Sequence, residues 1–187
     1  MNPYEKCPVF ENENFLLRLV NDEDVQDLLL VYSDEKAVPY FNSDNCNGDD
    51  FHYTSLERMK NAVDFWKNAY GFKAFVRWTI IDKNIGKAIG TIELFNRCAD
   101  DYFNNCGIMR LDLRSDYEDS EKIKEILSII LQSAFDLFNC TMIATKVPDF
   151  ADERKAAVTD LKFIYSNEKL IGGDDKKEYS DYYVLQK

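Results

Sequence analysis

Apolar residues recur along the chain with two different periods, and the switches between them mark the elements. Phe15 to Val20 is a nearly unbroken apolar run broken only by Arg18, the pattern of a buried strand. Asn21 is a good helix cap, and Asp22, Glu23 and Asp24 load the following turn with negative charge, which favours a helix start. Val25, Leu28, Leu29 and Tyr32 then fall at helical spacing, so 22–33 is predicted as a helix. Residues 39–53 are polar and turn-rich. Thr54 and Glu57 stand at capping-box spacing ahead of Leu56, Met59, Ala62, Val63, Trp66, Ala69 and Tyr70, which predict a second helix over 55–70.

The middle of the chain alternates instead. Phe75 to Asp82 and Ala88 to Phe95 flank the turn Lys83-Asn84-Ile85-Gly86 and read as a hairpin, with Ile89, Thr91, Glu93 and Phe95 on one side of the second strand. Residues 96–105 form a polar loop. Over Gly107 to Arg114, Ile108, Arg110, Asp112 and Arg114 face one way, and Met109, Leu111 and Leu113 the other. Ile123, Ile126, Leu127, Ile130, Leu131, Ala134, Phe135 and Phe138 draw a continuous stripe along a helix at 119–138. A strand at 141–147 follows, then a helix at 151–161 with Ala156, Ala157, Val158 and Leu161 inward, and final strands at 162–168 and 179–186. The order β-α-α-β-β-β-α-β-α-β-β implies an α/β (α+β) fold: a mixed, mostly antiparallel twisted sheet with helices on both faces.

Composition narrows the functions this fold could carry. The 187 residues form one domain over 1–187 and are enough to bury roughly 70% of the unfolded surface without staples. The net charge of −11 argues against nucleic acid, which needs clustered Lys and Arg, and against anionic membrane surfaces. It mildly favours a cationic partner. The five cysteines form no CxxC pair and no signal peptide precedes them, so free thiols in a reducing cytoplasm are expected. The longest apolar run, 126–131, is too short to span a bilayer.

Several short segments, in order and at suitable distances, resemble the GNAT superfamily of N-acetyltransferases, in the branch that includes the ribosomal-protein N-terminal acetyltransferases. Phe15-Leu16-Leu17-Arg18-Leu19 with Asp22-Glu23-Asp24 is similar to that family's opening strand and acidic helix start. Ser33 to Val38 is similar to its S-D-P-E-V segment. Ile89-Gly90-Thr91-Ile92-Glu93-Leu94 is similar to its I-G-T-I-G-L strand. Leu161 to Ile164 and Asp181 to Leu185 are similar to its L-G-F segment and closing strand. The resemblance covers about residues 13–186. It implies acetyl transfer from acetyl-CoA to a primary amine on a small molecule or a peptide N-terminus. It also implies a pantetheine arm paired with the exposed backbone of a splayed strand, and a glycine loop at a helix N-terminus around the pyrophosphate.

The chain departs from the family in that loop. It falls at 118–123, where no glycine stands, and Asp116, Glu118, Asp119 and Glu121 put four carboxylates in six residues. Before the last helix, where the family carries Asn and then Ser, this chain has Ala151 and Arg154. The Tyr that often precedes L-G-F is replaced by Ala157-Val158. Two readings stay open. One is an acetyltransferase whose donor is held by Leu111, Leu113, Arg114, Lys122, Ile123 and Lys124. The other is a non-catalytic GNAT-fold binding or regulatory protein that has lost acetyl-CoA.

Among individual residues, Glu93 is the first choice for general base, because a carboxylate inside an apolar strand is costly unless paired or used. Its bland reading is an ion pair with Arg77 or Arg110. Asp112, between Arg110 and Arg114, is either catalytic or part of a charge ladder. Tyr182 and Tyr183 alternate faces; Tyr183 is the candidate acid for the leaving thiolate, a core aromatic the alternative. His52, the only histidine, lies in an Asp/Asn-rich loop without EF-hand spacing, so no metal site is expected. The loop could line an acceptor pocket. Trp66, Phe72, Phe75 and Trp78 read as core. A monomer or homodimer is expected.

Overall fold

The computed structural model describes residues 2–187. The strands are β1 (Phe10–Glu11), β2 (Phe15–Leu19), β3 (Val76–Asp82), β4 (Lys87–Arg97), β5 (Cys106–Leu113), β6 (Met142–Lys146), β7 (Ile164–Tyr165), β8 (Leu170–Ile171), β9 (Glu178–Tyr179) and β10 (Tyr182–Gln186). The helices are α1 (Val25–Tyr32), α2 (Leu56–Gly71), α3 (Ser120–Phe138) and α4 (Asp152–Asp160). Eight strands form one sheet in the order β1-β2-β3-β4-β5-β6-β10-β7, and β8 and β9 pair separately. Every neighbouring pair in the large sheet is antiparallel except β5 and β6. This is the mixed, mostly antiparallel sheet expected from the pattern.

Local chemistry explains the element boundaries. Asn21 accepts from the Glu23 amide while Asp24 accepts from the Asn21 amide, so residues 22–24 form a tight turn of 3-10 helix ahead of α1. The cap of α2 is Ser55, whose side chain accepts from the Arg58 amide, one residue later than the Thr54–Glu57 pattern suggested. Asp119 caps α3, and Asn139 ends it in the left-handed conformation. In α4 the inward stripe is Arg154, Ala157 and Val158; Ala156 faces solvent, because it lies off the i, i+3, i+4 spacing that Arg154 begins. The last strands are shorter than expected, since 166–181 turns away to form the small β8–β9 hairpin.

The sheet separates two cores. Trp78, Ile80, Ile92, Leu94, Met109, Leu111 and Leu113 pack under α3 and α4. On the opposite face, α1 and α2 form a second cluster with Phe41, Phe51 and Tyr53 from the long α1–α2 connection. A bulge divides β4: Ile80 pairs with Gly90 and Ile81 with Ala88, leaving Ile89 unpaired. Ile89 therefore turns into the α3 core rather than sharing a side with Thr91 and Glu93, and Phe95 alone of its apolar neighbours stays with them. Gly90 makes the bulge possible, because a Cβ there would lie 2.1 Å from the Asp112 carbonyl oxygen. Phe72, expected in the core, is 86% exposed at the end of α2.

Candidate active site

The parallel ladder between β5 and β6 has four rungs, from Cys106 with Met142 to Met109 with Thr145, and stops there. Beyond it, β5 runs on to Leu113 while Lys146 pairs only with β10 on its other side. The phase of the β4–β5 ladder tells what this leaves open. Arg114 donates to the Ile89 carbonyl, so Asp112 and Arg110 exchange their bonds with β4. Leu111 and Leu113 then turn their N–H and C=O groups toward the side where β6 has ended. Their side chains are buried under α3, so it is their backbone that edges the gap.

On the α1–α2 face of the same strands lies a buried polar network. Arg77, Glu93 and Asp112 are each 1% exposed. Arg77 donates from Nη2 to Glu93 Oε2 (2.5 Å) and from Nη1 to Asp112 Oδ2, Tyr32 Oη and Thr91 Oγ1 (each 3.0 Å). Tyr32 Oη also donates to Asp112 Oδ2 (2.8 Å). Arg110 donates to Glu93 Oε1 (2.6 Å) and to the Asp44 carbonyl (2.9 Å). Both oxygens of Glu93 are thus held by guanidinium groups. Burial alone would raise its carboxyl, but Arg77 and Arg110 outweigh burial and hold it below the usual carboxylate range. Both ion pairs named as the bland reading of Glu93 are present. Asp112 Oδ1, in contrast, is buried with no hydrogen-bond partner.

A cleft of 470 Å³ opens over this network. Its floor is Arg77, Glu93 and Arg110, and Phe51, Tyr53, Trp66 and Phe75 make aromatic walls. The Arg77 guanidinium lies over the Trp66 ring, 4.2 Å from its centroid. Three acids (Asp49, Glu93, Asp174) face three bases (Arg58, Arg77, Arg110), so the cleft does not share the chain's overall negative charge. Arg110 is also the first residue of β5 past the last rung, so cleft and gap meet at its position. The aromatic residues of the α1–α2 connection were not singled out from the pattern, because polar residues surround them; Phe51 next to Tyr53 was the available signal.

Tyr183 stands apart from this network, on the α3–α4 face. It is half-buried, edge-on to Tyr165 at 5.4 Å, in a hollow with Val147 and Lys155. It lies across from Thr145, the residue of the last rung. Tyr182 points to the other face, where its hydroxyl donates to Asp44 Oδ2 (3.1 Å) and Asp44 holds Lys146 Nζ (2.7 and 2.8 Å).

The start of α3 is occupied by the chain's own groups. Asp119 accepts from the Lys122 amide and Glu153 from the Ser120 amide (2.9 Å), and the Ile123 amide donates to the Asp119 carbonyl. The Ile123 side chain is core. Arg114 grips Asp116 at 2.6 and 2.9 Å, and Lys124 pairs with Glu121 and Asp160. Lys122 Nζ donates to the Asp116 carbonyl and lies over the Tyr117 ring. Arg154 of α4, 3% exposed, takes both oxygens of Glu118 and donates to the Tyr40 carbonyl. Of the groups expected to hold an acetyl-CoA, the Leu111 and Leu113 backbone fits the amide-bearing arm. Arg114, Lys122, Ile123 and Lys124 do not fit its diphosphate, because each is already engaged with a neighbouring acid, carbonyl or core.

No protein-family model matches the chain, and no curated protein matches it. Solved structures do. Ribosomal-protein-S5-alanine acetyltransferase from Vibrio fischeri superposes with a TM-score of 0.70 at 17% identity, over 96% of this chain and 96% of that one. A GNAT-family acetyltransferase from Bacillus anthracis gives 0.68 at 14%, over 96% and 98%. Spermidine N-acetyltransferase from Vibrio cholerae, solved with CoA and spermine, gives 0.64 at 12%, over 94% and 96%. Among the described residues no helix is long and apolar enough to cross a membrane. With its interrupted β5–β6 ladder and its helices on both sheet faces, the chain has the GNAT fold.

Proposed function

We propose that this protein is an N-acyltransferase that moves an acyl group, acetyl in the simplest case, from a thioester to a primary amine. The observation that carries the reading is the end of the β5–β6 ladder at Met109 and Thr145. It leaves two backbone edges, at Leu111 and Leu113, for an extended amide-bearing arm, next to a cleft that can hold an acceptor.

The acceptor amine enters the aromatic cleft and meets the thioester carbonyl at the gap. Asp112 takes the proton of the attacking nitrogen. It sits between the two residues that edge the gap, and its Oδ1 is the one carboxylate oxygen of the network that accepts nothing. Glu93 serves as a positioning residue that fixes Arg77 and Arg110, because a carboxylate held by two guanidinium groups is a poor proton acceptor. Tyr183, across from Thr145 at the last rung, returns a proton to the leaving thiolate. The acceptor is a small amine with an apolar or aromatic body, or a peptide N-terminus, matched to the cleft walls. The balanced charge of the cleft gives no preference for a polycation. Acetyl-CoA is the donor the fold suggests.

The test is acetylation of a panel of amines and peptides by the wild-type protein and by Asp112→Asn and Tyr183→Phe. Removing a general acid or base is expected to lower kcat by about 10²–10⁴-fold. Wild-type turnover in both variants would remove Asp112 and Tyr183 from the reaction, and no turnover of any panel member with either acetyl-CoA or acetyl-pantetheine would overturn acyl transfer.

A further inference from the structure

We propose that the acyl donor carries no diphosphate where its arm passes the start of α3: the site selects an acyl-pantetheine type of thioester over acetyl-CoA. This rests on the acyl-transfer reading above and specifies its donor.

Three features meet at this place. The first is the state of the helix terminus. The amides of Ser120 and Lys122 already serve the carboxylates of Glu153 and Asp119. An anion there would compete with two carboxylates of the chain rather than with water.

The second is a buried crosspiece. Arg154 and Glu118 are 3% and 5% exposed at their side chains and share two hydrogen bonds of 2.8 and 2.5 Å. Arg154 also holds the Tyr40 carbonyl at 3.0 Å and lies over the Tyr40 ring, which packs edge-on against Phe150. This cluster ties the start of α3, the start of α4 and the α1–α2 connection together. Opening it for a diphosphate would strand a buried charge.

The third is the local charge. Residues 114–124 and 149–160 carry eight acids and five bases. Four of the five bases are already in ion pairs: Arg114 with Asp116, Lys124 with Glu121 and Asp160, Arg154 with Glu118, Lys155 with Asp149. A neutral, amide-bearing arm meets none of these obstacles at Leu111 and Leu113, and a diphosphate meets all of them.

Calorimetric titration of the full chain with acetyl-CoA and with S-acetyl-pantetheine tests this. The expected result is S-acetyl-pantetheine binding more tightly than acetyl-CoA. Acetyl-CoA binding tenfold more tightly or better, together with acetylation of an amine, would overturn the donor assignment and leave acyl transfer standing. No binding of either thioester, together with no acetylation, would overturn both. A second readout uses Asp116→Asn with Glu121→Gln, whose side chains are 59% and 76% exposed and therefore dispensable for packing. The double variant should bind acetyl-CoA three- to tenfold more tightly and S-acetyl-pantetheine unchanged. An unchanged acetyl-CoA affinity would overturn the placement of the diphosphate against this segment.

Discussion

Arg154 and Glu118, thirty-six residues apart, form a bidentate ion pair shut away from solvent between α3 and α4. A buried pair is expensive to break from one side only. Arg154→Ala leaves Glu118 uncompensated and should destabilise the fold by about 3–5 kcal/mol, whereas the apolar double variant Arg154→Met with Glu118→Leu should cost much less or nothing. Urea unfolding of the three proteins checks this; equal losses in single and double variants would mean the charges themselves are needed.

The same reasoning applies across the sheet. Arg77 is shared by Glu93 and Asp112, and its removal strands two carboxylates in one step. Arg77→Met should therefore destabilise by more than Arg110→Met, whose loss leaves Glu93 still bonded to Arg77. Thermal unfolding of both variants decides, and the reverse order would contradict the network.

The acid limb of the stability curve follows from Glu93. Its carboxyl sits below the usual value because Arg77 and Arg110 outweigh the opposite push of burial. The native state thus binds this proton less readily than the unfolded chain, whose Glu titrates at about 4.3. The stabilisation is complete above that pH and is lost as pH falls through the lower native value. Asp116, held by Arg114, and Asp82, held against its own burial by Tyr117, add to the same limb. Melting temperature should stay level from pH 7 to about 5 and drop below about 4, with a shallower drop in Glu93→Gln.

The alkaline limb has the opposite sign. Burial pushes the Cys106 thiol up to about 12, so folding favours its protonated form, and this stability fades as pH rises from the unfolded value of about 8.5 toward 12. At pH 8 a thiol reagent should label exposed Cys98 rapidly and leave Cys106 and Cys140 unreacted until urea is added. Rapid labelling of Cys106 in native buffer would contradict its burial.

Gly90 is the fifth point of attack. A Cβ there meets the Asp112 carbonyl oxygen at 2.1 Å, so Gly90→Ala must push β4 from β5 at the bulge. A loss of about 1–3 kcal/mol is expected, the range for overpacking. Because Asp112 moves with its carbonyl, acyl transfer should fall further than stability alone explains.

How far these features could be read from the chain depends on their range. The stripes of α2 and α3 and the alternation of Arg110 and Asp112 against Leu111 and Leu113 are local, and the structure reproduces them. The bulge is not local: it depends on β3 opposite, so strict alternation along β4 puts Ile89 on the wrong side. Ala156 and Arg154 exchanged roles because an arginine reads as solvent-facing until its distant acid is known. Glu93 was marked as an outlier by its apolar strand, and both of its arginine partners were named, but not that it holds them together. The four-acid segment before α3 is legible as charge, with Arg114, Lys122 and Lys124 beside it; that Arg154 of α4 takes Glu118 is not, because it lies 36 residues on.

The four-rung junction between β5 and β6 divides the sheet into a five-strand part built almost entirely from residues before 114 and a three-strand part built from residues after 141. Past the junction, the two parts are stitched by groups of one connection: the Asp44 carboxylate accepts from Lys146, and the Tyr40 carbonyl from Arg154. Those stitches join positions 102 and 114 residues apart. Contacts of such long sequence separation carry a large loop-closure cost. The two parts of the sheet are thus like the covers of a book, joined at a short spine and clasped on the open side by the α1–α2 connection.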